Sequence, residues 1–422
     1  MTLIHGKTNS VNQNIALLGA FCLFLSAVEY MIPKPLPFLR IGLANLPLML
    51  ALDIFSLPSY LILVCIKVIG QGLITGTLFS YIFIFSMTGT FLSALIMFLL
   101  RRAFGTDRVT FIGIGTAGAF VSNISQLFLA RVFIFQENVR YIAPPFLAVG
   151  IVTGIALGVF CEVFIQKSVW YREQRTEKSN LRFAEQRTEK SIIQLSEQLT
   201  IINERIKRRD FYNNYFGSGA LFTAGLFILP ALLFNPSAEY RVLQFLFFWL
   251  LAFLCGKKTN PVFTILMIIF IIAFNLIIPY GRVLFSAGIF KITSGALTAG
   301  IHRAVTLAAL IMLSKVTIRQ DLTIPGAFGH ILSESLRIFS VIMSKKFHVT
   351  GKNIFTEIDT LMLEICNEQL TEKSNFHFKE AEPSFQRTDS NEKIRTKPVG
   401  YVILIIVAVI SWLPWINIYG NF

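Results

Sequence analysis

The sequence predicts an all-α polytopic membrane protein of about eleven transmembrane helices, in two halves joined by a long cytoplasmic helical linker. Three observations predict it. The 422 residues are 54% hydrophobic and only 15% charged, with 41 phenylalanines; a soluble domain carries about 25% charge. Apolar runs close to the roughly 20 residues needed to span a bilayer recur along the chain. The net charge of +14 gathers in particular connecting segments, the pattern of cytoplasmic loops in membrane proteins.

The first half offers six spans, near 14–32, 38–55, 58–78, 79–100, 110–134 and 143–166. Lys7 precedes the first run and no small-residue cleavage site follows it, so it reads as a retained span rather than a removed signal peptide. The loop after the fourth span carries Arg101, Arg102 and Arg108, and the segment after the sixth is crowded with cations. Both fall on the N-terminal side of the membrane, which places the N-terminus in the cytoplasm. Domain boundaries follow: 1–166, a linker over 167–212, and 213–422.

In the linker "EQRTEKS" occurs at 173–179 and again at 185–191, a small tandem duplication of charged helix. Behind it Ile192, Leu195, Leu199, Ile202 and Ile206 form a heptad-like seam. The second half offers spans near 217–235, 240–255 and 261–279, then an apolar stretch over 283–314 that is too long for one straight span. It reads as an outer half-helix followed by a full span. A non-spanning region over about 317–397 holds two amphipathic helices. One covers 328–346, with Leu332, Leu336, Phe339 and Met343 on a face. The other covers 353–370, with Ile354, Ile358, Leu361 and Ile365 on a face. A last span ends in Trp412, Trp415 and Tyr419, residues suited to the outer interface.

The motifs argue against catalysis. "CGKKT" at 255–259 lacks the first glycine of a phosphate-binding loop, and Lys258 stands where Ser or Thr would hold magnesium. Asp53 is the lone aspartate near a span in the first half, and the five histidines are scattered. The five cysteines form no C-x-x-C and read as buried thiols. The expectation is a non-enzyme with no metal, no cofactor and no nucleic-acid partner.

Polar residues inside spans are costly and mark cavities or partners. Glu29, Arg40 and Asn45 map to the outer leaflet, and Asn123 and Gln126 share one face of the fifth span. These five are the candidate substrate site. The alternative is that Glu29 pairs with Arg40 across the proline loop while Asn123 bonds a neighbouring helix. On the first span Ala16, Gly19 and Ala20 form a small-residue patch that admits a close helix.

"SAVEYMIPKPLPFLRIGLANLPLMLALDIF" resembles the membrane proteins labelled heptaprenyl diphosphate synthase component I, also called the Gx transporter family. The resemblance covers about 12–168 and is carried by E-x-x-I-P (Glu29, Ile32, Pro33), "GLAN" and "SNISQL". It implies a substrate-binding (S) component of an energy-coupling-factor transporter, with six spans, an outward pocket, and Ala16 and Ala20 meeting a coupling subunit. "GIHRAVTLAALIMLSKVTIRQDL" resembles the coupling (T) component of the same transporters. That implies cytoplasmic helices, with Leu332, Leu336 and Arg337 at the interface, docking separate ABC-type ATPases. Arg337 stands in "SLRIF", without the alanine that precedes it in such components. The implied function is import of a small molecule, vitamin-like, flavin or isoprenoid precursor, across a bacterial cytoplasmic membrane. A non-catalytic membrane subunit of a polyprenyl diphosphate synthase is the rival, and a structural scaffold is a third reading. The charge pattern predicts that cysteines placed at Ser179 and Ser390 stay unlabelled by an impermeant reagent outside intact cells; labelling of either overturns the topology.

Overall fold

A computed structural model describes residues 2–31, 42–175, 212, 215–235, 237–257, 260–287, 290–319, 322, 324–344, 358–360, 362–364 and 396–419. The first half contains α1 (Thr2–Met31), α2 (Leu46–Ala51), α3 (Leu57–Thr75), α4 (Tyr81–Arg108), α5 (Phe111–Ala130), α6 (Val139–Lys167) and α7 (Val169–Arg175). The second contains α8 (Ser218–Leu233), α9 (Ala238–Leu254), α10 (Pro261–Asn275), strands β1 (Val283–Ala287) and β2 (Phe290–Thr293), α11 (Ser294–Thr317), α12 (Gly326–Ser344) and α13 (Pro398–Tyr419). The seam over 192–206, most of the linker and most of the second amphipathic helix lie outside the described residues.

Among the described residues five segments are long and apolar enough to cross a membrane, and one of these, Phe111–Lys167, contains both α5 and α6. Three shorter apolar helices, Ser218–Leu233, Pro261–Asn275 and Pro398–Leu413, accompany them. The protein is thus a multi-pass α-helical membrane protein, with fewer full-length spans among these residues than the eleven expected.

Glycines set the directions of the helices. Gly19 lies against Ile66, and Gly70 against Leu23. The offset is constant, so α1 and α3 run parallel, and the chain must recross the bundle between them. The expected second span does this as a broken segment. A 3-10 turn (Leu43–Asn45) leads into α2, which has only six residues, about 9 Å of helix against a bilayer core of about 30 Å. Gly42 adopts φ 88°, a left-handed conformation that residues with a Cβ avoid. Pro47 occupies the first turn of α2, where its missing N–H costs nothing. The continuous span expected over 38–55 is therefore corrected to a short helix buried within the bundle. Burial inside protein is what lets broken backbone sit at membrane depth.

The remaining helices of this half alternate in direction. Lys67 meets Thr90 and Gln71 meets Ser86 across α3 and α4. Gly118 rests on Met97 and Ser93 across α4 and α5. In the tightest pair, α5 and α6, Gly115 and Gly154 lie backbone to backbone, and Gly158 packs on Phe111 and Ile112.

In the second half the apolar stretch before α11 is a hairpin. β1 and β2 pair antiparallel through Phe285–Ile292 and Ala287–Phe290, which corrects the expected half-helix. Phe285, Ile292 and Thr293 are β-branched or aromatic, and such side chains suit a strand. Arg241 organises the helices around it. It is 5% exposed and donates to the carbonyls of Asn235 and Leu233 and to Thr306 Oγ1. Gln244 then joins Asn235 to Ser411 on α13.

The two halves meet end to side. The loop between α3 and α4 touches the C-terminal part of α11, where the Phe79 amide donates to Ser314 Oγ at 3.2 Å. The turn between α5 and α6 touches an earlier part, where Arg303 Nη1 donates to the Ile134 carbonyl at 3.3 Å. Both connections lie at the same end of the first bundle. Their contacts are spread over roughly 16 Å of α11, so the bundle axis lies across that helix. Counting charges loop by loop does not foresee this arrangement.

α12 follows α11 and lies along α1. Gly19 abuts Ser335, which is fully buried. Ile331, Leu332, Ile338 and Ile342 join Ala16 and Ala20 in one core, with Leu336 and Phe339 flanking it. Met343, expected on the apolar face, is 49% exposed. At the far end of the bundle Asp53 is paired, not isolated: Arg101 donates to both of its oxygens at 2.7 Å, and Tyr171 Oη at 3.2 Å. Asp359 accepts the Val169 and Trp170 amides at 2.9 and 3.1 Å and the Ser168 hydroxyl.

Gly158→Leu places a side chain where the Phe111 carbonyl lies 2.7 Å from an added Cβ. Overpacking of this kind costs about 1–3 kcal/mol, read as a lower unfolding midpoint in detergent. Gly219, with nothing within 4 Å, is expected to tolerate the same change.

Candidate functional site

Four of the five predicted site residues line one cavity. Glu29 comes from the end of α1, Asn45 from the 3-10 turn, and Asn123 and Gln126 from α5. Arg40 lies outside the described residues. The broken second crossing brings Asn45 here. Had residues 38–55 formed one regular helix, Gly42 could not turn its amide to Glu29 Oε1, which it meets at 3.2 Å.

Each polar group has a defined state. Asn123 Nδ2 donates to the Phe146 carbonyl at 3.0 Å, so this side chain ties α5 to α6 as well as lining the cavity. The bond to α6 is the alternative expected for Asn123, and the same side chain lines the cavity. Gln126 Nε2 donates to Ser122 Oγ at 2.9 Å, while Gln126 Oε1 has no hydrogen-bond partner although the residue is 2% exposed. Ser93 Oγ, on α4, is also buried without a partner. An unsatisfied buried oxygen costs about 1–3 kcal/mol, and both of these stand on residues that line the cavity.

Lys67 is the residue that the site prediction missed. It stands in the apolar run of α3, is 3% exposed, and lines the same cavity. Its Nζ donates to Asn45 Oδ1 and, at 3.4 Å, to Thr90 Oγ1. A cation in the middle of an apolar run is the signal that could have found it. Met49, Met97 and Leu157 supply the apolar part of the wall.

The cavity is largely enclosed, with about 30 Å³ open to the centres of water-sized molecules. That is room for roughly two waters. A ligand with a ring system requires this site to open. Among the described residues no group of three His, Cys, Asp or Glu side chains could hold a metal ion.

The predicted coupling residues lie elsewhere. Ala16, Ala20 and Leu332 are buried where α1 meets α12, and Leu336 is partly buried there. Arg337 faces outward and pairs with Glu334 at 2.8 Å, one turn away.

Fold and site together define a multi-pass helical membrane protein with an enclosed polar cavity in its first half and a second half laid across the end of that bundle. Residues 18–164, essentially the bundle from α1 to α6, match the model of a family described as heptaprenyl diphosphate synthase component I. The match supports that family for the N-terminal part of the chain. Residues 220–320, from α8 to α11, match a domain of unknown function. No curated protein and no solved structure matches the chain.

Removing the charge at Lys67 and removing its acceptor should have unequal effects on stability. Lys67→Met abolishes the cost of burying an ammonium but leaves Asn45 Oδ1 without that donor, so the two effects offset and the unfolding midpoint is expected to change little. Asn45→Leu takes an acceptor from that ammonium and is expected to cost about 1–3 kcal/mol. Thermal melts in detergent read both, and a large loss in Lys67→Met would make Lys67 a structural residue.

Proposed function

We propose that this protein is a transport component of the energy-coupling-factor type, in which the α1–α6 bundle binds a small polar molecule and the second half couples it to separate ATPases. The observation that carries the reading is the cavity: a buried lysine, an acidic residue, and two unpartnered buried oxygens converge in a bundle with no catalytic constellation among its described residues. Convergent polar groups beside an apolar patch of Met49, Met97 and Leu157 suit a small polar ligand. Gln126 Oε1 calls for a donor on the ligand, and Lys67 for an acceptor or an anion. The chain itself catalyses no reaction in this reading and needs no cofactor.

The contacts between halves support a coupling role for the second. α12 presses on the small-residue face of α1, and α11 lies across the connections at the cavity end of the bundle. A shift of α12 would therefore be felt directly by α1, whose end carries Glu29. The proposed setting is a bacterial cytoplasmic membrane with the N-terminus inside.

The family match favours a second reading, since its description names a component of heptaprenyl diphosphate synthase. In that case the chain is a non-catalytic membrane partner of a soluble prenyltransferase. Affinity purification separates the two, because ABC-type ATPases accompany a transporter and a prenyltransferase accompanies the alternative.

Three variants test the transport reading. Loss of one hydrogen bond to a charged group is worth about 1.5–3 kcal/mol, so Asn45→Ala and Asn123→Ala should weaken ligand binding roughly ten- to hundredfold. Unchanged affinity in both removes the site. Ala20→Trp, at a fully buried position facing α12, should stop transport while binding survives; normal transport in this variant overturns the coupling role.

A further inference from the structure

We propose that the groove between α8 and α13 is a binding site for an anionic glycerophospholipid, with one acyl chain along the groove and the headgroup at the cluster of cations at its end. This site is separate from the cavity in the first half and does not depend on the transport reading.

The groove has a volume of about 500 Å³ and an almost wholly apolar lining, which includes Ala224, Phe227, Ile405 and Trp412. Phe227 and Ile405 are 61% and 62% exposed, so the groove opens on the outer surface of the helices, where lipid lies. The Phe227 and Trp412 rings, 5.8 Å apart, close its far end.

Its near end is different in chemistry. α8 and α13 run in the same direction, because the segments that lead into them are bound together. The Lys397 amide donates to the Tyr215 carbonyl at 3.1 Å, and the Gly217 amide to Thr396 Oγ1 at 3.0 Å. Three cations from three different segments converge there on two tyrosines. Lys257 Nζ lies 5.1 Å and Arg319 Cζ 5.6 Å from the centre of the Tyr212 ring, and Lys397 Nζ lies 4.7 Å from that of Tyr215. Arg319 also donates to the Phe216 carbonyl at 2.8 Å, which fixes its position.

The two parts are continuous. Leu404 lines the groove and also packs on the cluster of Tyr212, Phe216 and Leu221. From Tyr401 to Trp412 the groove follows α13 for roughly 16 Å, a length that suits an acyl chain. An amphiphile with an anionic head and an apolar tail fits both ends. Basic pockets between transmembrane helices at the membrane surface take anionic lipid headgroups for this reason.

Native mass spectrometry of the full-length protein in mild detergent, offered equal amounts of phosphatidylglycerol and phosphatidylcholine, tests the proposal. Phosphatidylglycerol is expected to be retained in preference. Each of Lys257→Gln, Arg319→Gln and Lys397→Gln should lower its retention about fivefold, the effect expected of one cation beside an anionic lipid. Arg319→Lys should keep most of it, and Ala224→Phe, which fills the groove, should lower both lipids alike. Raising the ionic strength on the unaltered protein should release phosphatidylglycerol and spare phosphatidylcholine, a test that needs no variant to fold. Equal retention of the two lipids, or retention indifferent to salt, overturns the proposal. So does displacement of phosphatidylglycerol by undecaprenyl phosphate at equal concentration, which would assign the groove to an isoprenoid.

Discussion

The parallel contact of α1 with α3 is the constraint on which the first half depends. It is made through Gly19 and Gly70, where a missing side chain lets Ile66 and Leu23 approach the backbone. In a bilayer helices gain little from burying apolar surface against each other, so close approach at small residues does much of the holding. Once two helices joined by a short connection run parallel, the chain between them has to return through the bundle. That return is the broken crossing that carries Gly42, Asn45 and α2. The cavity exists because this crossing is not a regular helix and leaves space beside α5.

Gly19 also admits α12 beside α3. Ser335 sits over Gly19, and the apolar side chains of α12 close around Ala16 and Ala20. One helix therefore serves the cavity at one end and the partner half along its side. Any rearrangement that moves α12 must either move α1 or break this packing. Asp53 with Arg101 and Tyr171, and Asp359 with the start of α7, fix the opposite end of the bundle. Buried charges are held there by multiple hydrogen bonds, as low-polarity surroundings require.

The membrane class, the polar cluster of the first half and the small-residue face of α1 could be read from residue type and spacing alone. Glu29, Asn45, Asn123 and Gln126 are polar residues in apolar runs, and any such residue is conspicuous. Lys67 is equally conspicuous by residue type. What set it apart was its neighbours: Asn45 from the broken crossing and Thr90 from α4, neither adjacent in sequence. Asp53 misled in the opposite direction. It looked isolated because Arg101 and Tyr171, its partners, are 48 and 118 residues away.

By itself the sequence determined that the chain crosses a membrane several times, where most helices lie, and that α12 has an apolar face. Those properties follow from hydropathy and from the 3.6-residue period, both local. It left undecided how the second crossing breaks, because a run of apolar residues reads the same whether it is one helix or a turn, a proline and a short helix. It could not distinguish the hairpin before α11 from a half-helix, since short apolar runs carry no period long enough to choose. The angle between the halves, the partners of Lys67 and Asp53, and the meeting of three cations at the end of the α8–α13 groove depend on contacts between residues far apart in the chain. Only the tertiary structure decides those.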